Sequence, residues 1–196
     1  MSDIKSALEI AMEKIAKLGE ATDEERLRWK YVPDGEKLAV KYINQDCNMV
    51  DELSQYEEKT RKYAVEGAED ILIRNINLPK DDLTRKNNKR AMDGLKTLKS
   101  DKASVENVFS KIRRIFTHYT GEGEQQRKQA YEQLKIEFEA KMQQAVQQQL
   151  GSVAKIRLDV EKQPQFQEEW RKVQAQLDSQ YTRHLDEYRQ ELTSIS

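Results

Sequence analysis

Apolar and small residues return at three- and four-residue steps over most of this chain, the spacing of one face of an α-helix. The clearest stretch is 81–150. Leu83, Ala91, Leu95, Leu98, Val105, Val108, Ile112, Ile115 and Tyr119 mark one stripe, and Tyr131, Leu134, Phe138, Met142 and Ala145 mark a second. Between them lies Thr120-Gly121-Glu122-Gly123. The pattern predicts two long helices folded back on each other at these glycines. Asp81 or Asp82 caps the first, and a break is expected near Ser100-Asp101, with Ser100 capping Lys102 onward.

Towards the N-terminus, Ile4, Leu8, Ala11, Ile15 and Leu18 predict a helix stopped by Gly19. Thr22 with Glu25 three residues on is a capping-box signature. It predicts a short helix ended by a Pro33-Asp34-Gly35 turn. The helical period resumes from Glu36 through Leu38, Ala39, Ile43, Leu53, Ala64 and Ile71. Interruptions are expected at Asp46-Cys47-Asn48 and at Glu57 to Lys62, and the run ends at Leu78-Pro79.

After the second long helix, Ile156, Leu158 and Val160 alternate with charged residues in a strand-like manner. Nothing else in the chain alternates this way, so an extended crossover is preferred to a strand pairing with another chain. Pro164 suits the first turn of a last helix. Phe166, Trp170, Val173, Leu177, Tyr181, Leu185, Tyr188, Leu192 and Ile195 then follow a seven-residue repeat. The Gln-rich arm from Glu124 to Gln149 is thinly apolar, and this aromatic helix is its expected cover.

These elements give an all-α fold class: an elongated antiparallel helical bundle or coiled coil, with a long helical hairpin and a short extended crossover near 152–163. Short N-terminal helices occupy 1–48, the hairpin core 49–151, and the crossover with the heptad helix 152–196, all within one structural unit. Composition fits. Hydrophobic residues are 37% and charged residues 35%, as expected when each long helix buries a narrow stripe and leaves the rest wet. A single cysteine, Cys47, forms no internal disulfide and fits a reducing, cytoplasmic setting. The start, Met1-Ser2-Asp3, does not read as a secretory signal, and no stretch approaches the roughly 20 apolar residues of a membrane span.

Chemistry-bearing motifs are scarce. Neither His118 nor His184 has a second ligand at helical spacing, and one cysteine cannot build a cysteine-rich zinc site. Both histidines are expected at helix ends or on wet faces. Cys47 sits between Asp46 and Asn48, without basic neighbours to activate it, and reads as a small packing residue. Gly121 and Gly123 lack the preceding strand and third glycine of a phosphate-binding loop. No catalytic, cofactor-binding or metal site is expected, and the chain reads as a non-enzyme.

Charge is uneven although the net is only −1. Residues 80–119 carry eleven Lys/Arg against five Asp/Glu, and residues 1–79 carry twelve against seventeen. A nucleic acid or other anionic partner would meet Arg85, Lys86, Lys89 and Arg90, then Arg113 and Arg114. Pairing with the acidic helix before them, Glu52 to Asp70, is favoured over that reading.

Two stretches, Gly67-Ala-Glu-Asp-Ile-Leu-Ile-Arg-Asn-Ile-Asn-Leu-Pro79 and Val160-Glu-Lys-Gln-Pro-Gln-Phe-Gln-Glu-Glu-Trp170 with its continuation to Tyr181, resemble an uncharacterised family of bacterial helical proteins. The resemblance implies a bacterial cytoplasmic protein and brings no catalytic residues with it. The functional expectation is a helical scaffold or accessory subunit. Its contact surface is Phe166, Trp170, Val173, Leu177, Tyr181 and Tyr188, turned towards a second copy or another protein.

Overall fold

The computed structural model describes residues 21–45, 47–150 and 159–196. The predicted helix over Ile4 to Leu18 and nearly all of the alternating 153–160 stretch lie outside them. Seven α-helices are described: α1 Asp23–Asn44, α2 Met49–Ser54, α3 Glu58–Arg74, α4 Asp82–Leu98, α5 Lys102–Thr120, α6 Glu122–Leu150 and α7 Pro164–Ser194. A 3₁₀ turn, Val160–Lys162, precedes α7 and buries Val160. No strand occurs among the described residues, and the fold is all-α. None of these helices is long and apolar enough to cross a membrane.

The chain divides into two compact units. One takes the residues up to Ile76 together with Lys86–Val105 and Thr193–Ser196. The other takes Asn77–Arg85 and Glu106–Leu192.

In the first unit the capping box is present as read: the Glu25 amide donates to Thr22 Oγ1 at 3.2 Å, and the Thr22 amide donates to the Glu25 carboxylate at 2.8 Å. The turn expected at Pro33-Asp34-Gly35 is absent. α1 runs through it to Asn44, although Pro33 removes one backbone donor from the helix interior. The reason is packing. Gly35, Leu38, Ala39 and Ile43 form a single buried stripe only if the helix continues, and α3 lies along that stripe. At the crossing the backbones nearly touch. A Cβ on Gly35 would stand 1.8 Å from the Ala64 carbonyl oxygen, and one on Gly67 would stand 2.1 Å from that of Val32. Each helix therefore contributes a glycine where the other's backbone passes, flanked by fully buried Ala39, Ala64 and Ala68.

The interruption expected at Asp46-Cys47-Asn48 occurs, whereas the one expected at Glu57 to Lys62 falls earlier, and Glu58 to Lys62 instead open α3. Asn48 caps α2 by accepting from the amides of Val50 and Asp51, and Gln55 to Glu57 separate α2 from α3. α3 stops at Arg74, earlier than the Leu78-Pro79 end read from periodicity. Ile76, Leu78 and Pro79 are buried outside any helix. Apolar content extends the periodic pattern past the last hydrogen-bonded turn. α4 covers this unit through Gly94, which sits against Tyr42 and Leu72.

Asp81 opens α4 by accepting from the Thr84 amide at 2.7 Å. The break near 100 is real, with a different cap: Asp101, not Ser100, accepts from the Ser104 amide at 3.0 Å and from its hydroxyl at 2.7 Å. The Ser100 and Asp101 amides instead donate to the Ser196 carbonyl, both at 3.1 Å. Lys99, 5% exposed, lies beneath this link and pairs with Glu69 at 2.8 Å.

The second unit corrects the predicted fold-back at the glycines. Gly121 receives and continues helical hydrogen bonding, its amide donating to Thr117 and its carbonyl accepting from Gln125. Its φ is not left-handed. α7 runs antiparallel to α5 and α6 in one unbroken register: Glu191 meets Lys111, Tyr181 meets His118 and Tyr119, Asp178 meets Arg127, Trp170 meets Tyr131, and Phe166 meets Phe138. α5 and α6 therefore continue in the same direction and form one arm of the hairpin, and α7 is the other. The long hairpin is present, but its bend falls between α6 and α7.

The glycine crossing generates a stability prediction. Gly35→Ala should destabilise the protein by about 3 kcal/mol or more, despite alanine's better helix propensity, because backbone has no rotamer with which to yield. Urea unfolding followed by far-UV circular dichroism measures it. A Gly35→Ala variant as stable as the parent would remove the crossing as a stabilising contact.

Candidate functional site

The aromatic repeat of α7 divides its residues between two duties. Phe166, 2% exposed, is enclosed by the edges of Tyr131 and Phe138, with ring centroids at 5.4 and 5.5 Å. Trp170 stacks edge-on against Tyr131 at 5.0 Å. These two members of the expected contact surface cover the Gln-rich α6, as its thin stripe requires, and Val173 beside them is half-buried.

The other three, Leu177, Tyr181 and Tyr188, stay half-buried and line a groove of about 640 Å³ between α5 and α7. Ile115 contributes from α5. Lys111, Arg114, His118 and His184 stand around them, with the amides of Gln126, Gln176 and Gln180. Among the described residues no carboxylate lines the groove. Acidic residues nearby meet its basic side chains from outside the lining. Lys111 pairs with Glu191 at 2.8 Å, His118 Nε2 lies 2.8 Å from Glu122, and His184 Nδ1 lies 3.2 Å from Glu187.

Both histidines are expected at helix ends or on wet faces, and both side chains are exposed. The antiparallel register that sets Lys111 against Glu191 also sets His118 opposite His184, and both enter one groove. The heptad positions could have revealed this only with the direction of α6 known. His118 Nδ1 is 2.8 Å from the Tyr181 hydroxyl. Tyr181 in turn lies over Gly123, where a Cβ would stand 2.7 Å from its hydroxyl. Gly123 therefore makes room for a side chain and is not part of a turn.

The basic clusters do not act as blocks. Arg85 pairs with Asp82 in its own helix at 2.7 Å. Arg90 donates to the Gln45 carbonyl at 2.7 Å and lies over the Tyr42 ring. Arg113 is held by Glu106. Among the described residues, Lys86, Lys89 and Arg114 have no ion-pair partner. Within the acidic stretch Glu52 to Asp70, Glu69 pairs with Lys99 at 2.8 Å, a cation outside both named clusters.

Next to the groove lies a buried polar cluster. The Tyr119 ring, 4% exposed, carries the Arg127 guanidinium at 4.0 Å, and Arg127 Nη2 donates to the Tyr119 carbonyl at 2.9 Å. Asp178, 8% exposed, binds Lys80 at 2.7 Å through Oδ2. Burial first, then the Asp178 carboxylate, pushes the Tyr119 phenol up to about 12, against the opposing pull of Arg127. Cys47 is half-buried in the link between α1 and α2. No group of three or more His, Cys, Asp and Glu among the described residues is placed to hold a metal ion.

The chain belongs to a family of unknown function (DUF6657), whose model matches residues 50–194. That span contains α3, both quoted stretches and the whole α5–α6–α7 hairpin. No curated protein and no solved structure matches the chain.

The raised phenol has a sign that can be checked. Because the folded state holds the Tyr119 proton more tightly, its contribution is complete below the ordinary tyrosine range near pH 10 and is lost as pH rises towards 12. That loss should reach about 2 to 3 kcal/mol. Urea midpoints between pH 9 and 12 should fall less steeply for Tyr119→Phe than for the parent. Parallel curves would contradict the assignment.

Proposed function

We propose that this protein is a non-catalytic helical scaffold or accessory subunit that works through coiled-coil-type protein–protein contacts in the bacterial cytoplasm, without a cofactor. The observation that supports it is the α5–α7 groove. Its floor of Ile115, Leu177, Tyr181 and Tyr188 is apolar and aromatic, its rim carries Lys111 and Arg114, and among the described residues no carboxylate lines it. An amphipathic helix with an apolar stripe and acidic flanks complements such a surface. The occupant is a partner protein or a second copy of this chain. The contact surface read from the α7 repeat narrows accordingly to Leu177, Tyr181 and Tyr188, since Phe166 and Trp170 serve α6. Elsewhere Ile136 on α6, 64% exposed, is an apolar side chain of the same interaction-ready kind.

The second reading is binding of nucleic acid or another anionic partner. Lys86, Lys89 and Arg114, without ion-pair partners among the described residues, favour it. Such binding falls steeply with salt.

Light scattering coupled to size exclusion, with native co-purification, tests the first reading. The parent should run as an oligomer or carry a partner, and Leu177→Asp should abolish that association while far-UV circular dichroism stays unchanged. A parent that is monomeric and partnerless would contradict it. Retention on heparin that is lost at moderate salt and in a Lys86→Ala, Lys89→Ala, Arg114→Ala variant would select the second.

A further inference from the structure

A second cleft of about 600 Å³ opens on the neighbouring face of α7. Among the described residues, Lys80, Arg85, Arg127 and Arg171 line it against the carboxylates of Glu124 and Asp178. The lining thus has an excess of two positive charges. Its cations are unequally occupied. Lys80 is held by Asp178 and Arg85 by Asp82. Arg171 has no ion-pair partner among the described residues.

The floor shows the same imbalance at buried atoms. Arg127 Nη1 and Asp178 Oδ1 lie 3.8 Å apart, and neither makes a hydrogen bond among the described residues. Buried charged atoms left without hydrogen bonds are costly and call for a cause. Lys80 holds Asp178 through Oδ2 at 2.7 Å, on the side away from the unsatisfied Oδ1. An anion that drew Lys80 towards itself would let Asp178 and Arg127 close. Pro79, Ala175, Thr120 and Gln174 provide mixed apolar and neutral polar walls for an organic group. The volume lies in the range of small-molecule sites.

We propose that this cleft binds the phosphate group of a small soluble phosphomonoester. The dianion matches the excess charge. Arg171 and Arg85 offer the planar, forked donors suited to phosphate oxygens, and Lys80 adds a point charge. The cleft is separate from the docking groove and does not depend on the scaffold reading.

Titration calorimetry and thermal unfolding of the full chain with inorganic phosphate and with glycerol 3-phosphate test it, with glycerol and chloride as controls. Saturable binding and a raised melting temperature are expected for both phosphates and for neither control. Arg171→Ala should weaken binding about tenfold or more, the loss of one charged hydrogen-bonding group. Lys86→Ala, outside the cleft, should leave it unchanged. Three results would overturn the proposal: no saturable response to either phosphate, equal affinity in Arg171→Ala and parent, or binding only to phosphatidate vesicles without response to the free phosphates. Because Arg171 is exposed, its replacement leaves the core intact, and the dimer or partner readout of Leu177→Asp reports the scaffold reading separately.

Discussion

α7 must satisfy two helices at once. α5 is strongly amphipathic, with Val105, Val108 and Ile112 fully buried. In α6 the apolar residues are spread around the helix, and Ile136 points to water. A helix of the second kind has little reason to stay ordered by itself, since helical stability in proteins comes mainly from packing an apolar face. Phe166 and Trp170 supply that packing through large flat rings, and burying a side chain such as Phe166 contributes about 2 to 3 kcal/mol. The smaller, more polar half of the α7 repeat faces α5, where Tyr181, His118 and Tyr119 meet by hydrogen bond and ring edge. One helix changes its chemistry along its length because its partner changes.

The first unit solves the same problem with the opposite materials. Gly35 and Gly67 remove side chains from the crossing of α1 and α3, so dispersion contacts form between backbones. Such a contact tolerates no added methyl group, whereas the aromatic seam has rings that can tilt. The Pro33 defect in α1 is accepted here because continuity of the buried stripe outweighs one missing backbone hydrogen bond.

Local signals in the chain were specific where one side chain meets one backbone group. Thr22 with Glu25, Asp81, Pro164 and the interruption at Asn48 could each be read directly, because a cap is decided within four residues. Ser100 and Asp101 were harder: both can cap, and the choice fell to Asp101 once the Ser100 amide and hydroxyl were engaged by Ser196. The groove was half legible. Its apolar members stand in the α7 repeat, and Arg114 in a basic cluster. That these belong together, with both histidines, depends on which helix faces which.

The 81–150 stretch shows where that boundary lies. Periodicity established that it is helical and which residues form its stripe, because a 3.6-residue repeat is a property of the chain itself. It did not establish where the chain reverses. A glycine between two helices permits a turn, but helical hydrogen bonds can run through it when a third helix holds both flanks in line, and α7 does so. The sequence by itself determined the all-α class, the caps other than that at Ser100-Asp101, and the split of apolar from polar faces. Tertiary structure alone decided that α5 and α6 share a direction, that Phe166 and Trp170 face inward, and that Lys80, Arg127 and Asp178 meet at one cleft. Those outcomes depend on contacts between residues tens of positions apart, whose free energies no local pattern contains.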